Sequence, residues 1–186
     1  MEKNNKIRKY IKGYLFILPN FIGFFVFMAL PIIMGLVISF TDYNGFSQFN
    51  FVGLKNYIDM FHGEYFTVSL KNNLVYTLVT VPGTIVFALL LAVGVNKGIK
   101  GSSLFKTMFF LPNISSMVAV GIVWAMIFNP TQGPLNQVLM ALGVANPPQW
   151  LSATKTALGS VMVVAIWKQA GYYMIIILAG LQSIPS

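Results

Sequence analysis

Between Lys12 and Asp42 the chain carries no Asp, Glu, Lys, Arg or His, and that gap decides the solvent in which it folds. At about 1.5 Å of rise per residue, some 20 apolar helical residues cross a hydrocarbon core of roughly 30 Å. Tyr14 to Phe40 is therefore a membrane helix with residues to spare. Comparable spans follow at Asn73 to Val95, Phe105 to Phe128 and Leu158 to Leu181. Soluble domains carry about 25% charged residues. Here the figure is 9%, against 56% hydrophobic residues, so a fold in water would expose large apolar patches. The expectation is an all-α, polytopic membrane bundle with four transmembrane helices.

The few charges orient the bundle. Lys3, Lys6, Arg8, Lys9 and Lys12 precede the first span, and Lys97, Lys100 and Lys106 join the second to the third. The positive-inside rule places both groups in the cytoplasm. Asp42, Asp59 and Glu64 lie in the first outer connection. Topology thus accounts for a net charge of +8 without a nucleic-acid partner. The segments read as a basic cytoplasmic terminus over 1–13, a first membrane helix over 14–40, an extracytoplasmic loop over 41–72, and a domain with three further membrane helices over 73–186.

Little here predicts catalysis. Cysteine is absent and His62 is the one histidine, so thiolate sites are excluded and a metal site lacks ligands. Gly98-Ile99-Lys100-Gly101-Ser102-Ser103 has its lysine before the glycine, the wrong order for a phosphate-cradling loop. The reading is of a protein that is not an enzyme, with no cofactor of its own. Any ATP it depends on is hydrolysed by another chain.

Both outer connections show local order. Leu54, Tyr57, Ile58 and Phe61 have helical spacing. A ten-residue apolar stretch from Leu135 to Val144, bounded by Pro and Gly turns, predicts a short interfacial or re-entrant helix with Trp150 at headgroup level. Pro19, Pro31, Pro82 and Pro112 lie within spans, where the freed carbonyls need neighbouring helices or water. Ser115 with Ala119, and Gly121 with Ala125, offer small-residue faces for close helix approach on the third span.

The fourth span carries the densest chemistry, Trp167-Lys168-Gln169-Ala170-Gly171-Tyr172-Tyr173. A lysine at that depth costs about 2.5 to 3.5 kcal/mol on insertion scales, so it faces protein or a water-filled cavity. Ile166, Gln169, Ala170 and Tyr173 form one stripe, and Lys168 and Tyr172 an adjacent one that could also line a pathway. Amide, hydroxyl and aromatic groups in line suit a sugar; they would equally serve to bind helix to helix, with Lys168 reaching outward.

Phe51-Val52-Gly53-Leu54-Lys55-Asn56-Tyr57, Phe109-Phe110-Leu111-Pro112, Trp124, Trp150-Leu151 and Leu178-Ala179-Gly180-Leu181-Gln182-Ser183-Ile184-Pro185, in this order, resemble the inner-membrane permease subunits of bacterial carbohydrate ABC importers. The class includes the larger maltose permease subunit and glycerol-3-phosphate permeases. The resemblance implies a type I importer fold and identifies residues 73–186 as part of its transmembrane domain. It implies a second permease subunit, two cytoplasmic ATPase subunits, an extracytoplasmic solute-binding protein, and a carbohydrate that rests against Ile166, Gln169, Ala170 and Tyr173.

In that family a Glu-Ala-Ala loop, which docks on the ATPase, and further spans follow the Leu-Gln-Ser-Ile-Pro segment. This sequence stops at Ser186, which predicts a subunit incomplete at its carboxyl end, inserted in the membrane but without transport by itself. A small channel selecting ions through Lys168, or a membrane scaffold, are the readings from other classes.

Overall fold

The computed structural model describes residues 2–46, 48–96 and 101–183. Parts of the inner-loop lysine cluster and of the carboxyl-terminal motif, at 97–100 and 184–186, lie outside them. The chain divides into two compact units, Met1–Val68 and Ser69–Ser186.

In the first unit, α1 (Glu2–Phe24) continues through a wide π-helical turn, Phe25–Ala29, into α2 (Leu30–Ile38). Pro31 has no N–H to give to the carbonyl four residues back, and its ring crowds that carbonyl. Widening the preceding turn relieves the crowding without ending the helix. Tyr10–Ile38 is long and apolar enough to cross a bilayer.

The last carbonyls of a helix have no partner within it, and here the loop that follows supplies them. Asn56 Nδ2 donates to Ser39 O at 2.9 Å and Thr41 O at 2.7 Å. Ser39 Oγ and the Tyr57 hydroxyl are 2.6 Å apart, and Phe40 packs against the rings of Phe51 and Tyr57. Gly53, at φ +61°, permits the left-handed turn that brings α3 (Lys55–His62) back to this end. Of the amphipathic residues anticipated on α3, Tyr57 turns inward; Leu54, Ile58 and Phe61 stay exposed.

α4 (Glu64–Asn96), whose residues from Ser69 on belong to the second unit, extends beyond the uncharged span at its start, and α8 (Thr154–Gln182) runs parallel to it. Gly83 meets Ile166, and further along Ala88 and Ala92 share a core with Met174 and Leu178. Between them the chain returns. On α5 (Ser102–Ile114), Asn113 lies by Lys168 and Phe109 by Gly171, so α5 is antiparallel to α8. On α6 (Met117–Ile127), Trp124 packs edge-on to Trp167 at 5.3 Å.

The anticipated third span, Phe105 to Phe128, is not one straight helix. It breaks at Ser115 and Ser116, with α5 and α6 bent by 101°. Both serines take extended ψ values, 145° and 135°, and Pro112 has already removed one hydrogen bond from the last turn. α5 runs back along α8, so the chain reverses between the parallel α4 and α8; the three helices long and apolar enough to span become four where the bent pair is counted as one crossing.

The short helix expected after the second outer turn is α7, Pro134–Ala141. Its Asn136 is fully buried. Nδ2 donates to Pro130 O at 2.9 Å and Pro148 O at 3.1 Å, and Oδ1 accepts from Trp150 Nε1 at 2.6 Å. Trp150 is held at φ 32°, an uncommon angle for a bulky residue, and its ring stacks on Phe128 at 5.3 Å.

Candidate functional site

The polar turn of α8 divides among three surroundings. Gln169 and Tyr173, four residues apart, reach a cavity of about 120 Å³ whose other wall is Thr80, Val81, Thr84 and Ile85 of α4. Ile166 leans on α4 instead: a Cβ on Gly83 would lie 2.8 Å from its Cδ1. Ala170 is fully buried. Of the anticipated stripe, Gln169 and Tyr173 thus line the cavity, Ile166 meets α4 beside it, and Ala170 is buried.

Lys168 faces the other way. Its Nζ donates to Asn113 O at 3.0 Å, a carbonyl in the last turn of α5 where the helix has broken and the dipole is negative. A cation is the donor best suited to that carbonyl, and the contact resolves the cost of a lysine at this depth. Lys168 serves the break. Tyr172 is exposed and packs edge-on to Tyr173, with ring centroids 5.4 Å apart.

Close packing holds these groups in place. A Cβ on Gly171 would overlap the Phe109 carbonyl and lie 2.9 Å from Phe110 N, so α8 and α5 touch backbone to backbone there. The small-residue approach thus involves Gly83 and Gly171. Gly121, on the face anticipated from the third span, has open space where a Cβ would be.

The α4 wall was not anticipated. Thr80 Oγ1 donates to Tyr76 O at 2.7 Å, which leaves its lone pairs for a ligand. The Gln169 amide, the Tyr173 hydroxyl and the Thr84 hydroxyl form no hydrogen bond among the described residues. All three residues line the cavity, and Gln169 and Tyr173 are exposed. The available signal was the i, i+4 pair Thr80 and Thr84 astride Pro82-Gly83. Toward the far ends of both helices the cavity gives way to an apolar cluster of Ala88, Ala92, Val95, Met174 and Leu178.

No group of three or more His, Cys, Asp or Glu that could hold a metal occurs among the described residues. His62 Nδ1 lies 2.8 Å from Ile58 O.

No family model matches the chain. It is 39% identical over its whole length to the probable ABC transporter permease protein YesP of Bacillus subtilis, covering 60% of that protein. It is 36% identical to the xylose/arabinose import permease protein XacH of Haloferax volcanii, over 87% of this chain and 52% of the relative. Over most of its length the chain is similar to ABC transporter permease proteins, some of them named for sugars. In three dimensions, it matches a chain of a bacterial alginate ABC transporter, solved in complex with an alginate pentasaccharide-bound periplasmic protein. The TM-score is 0.81 and the identity 27%, over 97% of this chain and 60% of that one. The chain spans about 60% of the length of the first of these relatives.

Proposed function

We propose that the chain is a membrane-embedded permease subunit of an ATP-driven carbohydrate importer. It lines part of the translocation pathway and performs no covalent chemistry. Sugar reaches it from an extracytoplasmic binding protein, a second permease subunit completes the pathway, and separate cytoplasmic ATPase subunits hydrolyse ATP. The observation that carries this reading is the cavity between α4 and α8, where Gln169, Tyr173 and Thr84 offer unpaired polar groups within apolar helices in a chain homologous to sugar permeases. Ile166 and Ala170 belong to the same face and set its shape through their packing.

The subunit sits in the bacterial cell membrane with its amino terminus in the cytoplasm, in keeping with the basic segment before the first span. The test is uptake by the assembled importer. Gln169→Ala and Tyr173→Ala should each reduce sugar uptake at least about tenfold, the equivalent of 1.4 kcal/mol, with unchanged membrane insertion. Uptake at the parental level in both variants would overturn the site.

A further inference from the structure

A cavity of about 620 Å³ lies away from α4, between α6, α7 and the first turns of α8. Trp124, Phe128, Leu135, Trp150 and Val163 supply its apolar walls, and Lys155 is the one charged residue among those that line it. From Lys155 to Val163 the lining of α8 covers about 12 Å at 1.5 Å per residue. No charge follows Lys155 until Lys168, so Lys155 stands at the edge of the apolar layer and Val163 within it. Trp150, five residues before Lys155 and lining the same cavity, is of the residue type that gathers at that edge.

Three neutral donors around this cavity are already in use. Thr156 Oγ1 donates to Trp150 O at 2.6 Å, Ser160 Oγ to Thr156 O at 3.0 Å, and Trp150 Nε1 to Asn136 Oδ1 at 2.6 Å. A hydroxyl-rich solute therefore meets mainly apolar and aromatic walls here. Lys155 is exposed, and its own unit offers it no carboxylate: residues 69–186 carry six lysines and no Asp or Glu. We propose that the cavity binds an anionic phospholipid, with the phosphate at Lys155 and one acyl chain lying along α8 as far as Val163. The two halves of such a molecule match the two ends of the cavity, a negative headgroup where charge can still meet water and a hydrocarbon tail against leucine, valine and aromatic rings. Free phosphate would satisfy the lysine alone, and a neutral lipid the walls alone. One lysine near a membrane surface favours an anionic lipid by about fivefold. The site takes a component of the bilayer and goes beyond the permease reading, whichever solute the subunit passes.

The test uses the assembled importer in phosphatidylcholine bilayers. A small share of the lipid is either phosphatidylglycerol or phosphatidylcholine carrying a photoreactive diazirine in one acyl chain. After illumination, the cross-linked peptides are mapped by mass spectrometry. Phosphatidylglycerol should label the peptides containing Trp124 and Val163 about fivefold more than phosphatidylcholine does. Lys155→Gln should bring the two lipids level, and Lys155→Arg should keep the preference. Lys71→Gln, at a lysine that does not line the cavity, should also keep it. Val163→Trp, which fills the inner end, should lower labelling by both lipids. Excess soluble glycerol phosphate should not compete. Equal labelling by the two lipids in the parental protein, or a preference that survives Lys155→Gln, would overturn the proposal. Competition by glycerol phosphate would reduce the site to an anion site, and no labelling of either peptide would mean that protein fills the cavity; each of these results also refutes the lipid.

Discussion

Lys168 Nζ lies 3.0 Å from the carbonyl oxygen of Asn113, 55 positions earlier in the chain, and so ties α8 to the broken end of α5. The contact pairs a cation with the negative end of a helix where no water need be present. Lys168→Met keeps the length of the side chain and leaves that carbonyl unpaired, so the chain should lose about 1.5 to 3 kcal/mol. Lys168→Arg should recover part of the loss. Thermal unfolding of the purified chain in detergent checks this; equal midpoints for all three proteins would mean that the contact does not support the break.

Gly171, within the polar turn of α8, and Gly180, beyond it, give opposite expectations. Gly171→Ala drives a methyl group into the Phe109 carbonyl, which is backbone and cannot rotate away. Separating α5 from α8 should cost at least about 1 to 3 kcal/mol, the usual range for overpacking. Gly180→Ala, with nothing within 4 Å of the added carbon, should be neutral or slightly stabilising through helix propensity. The comparison of the two unfolding midpoints decides it.

Asn136 is buried and uses both ends of its amide. Asn136→Asp retains an acceptor for Trp150 but offers no donor to Pro130 and Pro148, and a carboxylate there would face two carbonyl oxygens. A destabilisation of about 1 to 3 kcal/mol follows from the unpaired groups, with a changed emission of Trp150 as its indole partner shifts. Unaltered tryptophan emission and stability would show that the α7 cap does not depend on this amide.

Asp42 accepts hydrogen bonds from the Asn50 side chain and backbone. These contacts, the side-chain one foremost, hold its carboxyl below its ordinary value of 3.8. A depressed folded value means that the stabilisation is fully present above about 3.8 and is lost as pH falls through the lower folded value. The amide resonance of Asn50 should therefore keep its position from neutral pH to about 4 and move below that, and Asp42→Asn should abolish the transition.

Much of the scaffold was legible because the bilayer imposes a single length scale on uncharged stretches, and Tyr10–Ile38, Glu64–Asn96 and Thr154–Gln182 meet it. Lys168 was legible as costly, but its acceptor was not. Asn113 becomes available only where α5 ends, and hydropathy runs unbroken from Phe105 to Phe128 across that break. Threonines within an apolar span raise no alarm, since they can return a hydrogen bond to their own helix as Thr80 does; that Thr84 opens on Gln169 and Tyr173 depends on how α4 and α8 pack. The sequence motif around Gly53 to Tyr57 pointed to a family, whereas its physical task of closing the end of α2 through Asn56 required coordinates.

Ala88 and Ala92 have no exposed surface, and they share their cluster with the long side chains of Met174 and Leu178. The small partner is on one helix and the large one on the other, so the spacing of α4 and α8 is set by side chains of α8 lying on a nearly bare stretch of α4. A larger residue at 88 or 92 would be felt as a change in the distance between two helices before it was felt as a change in either of them.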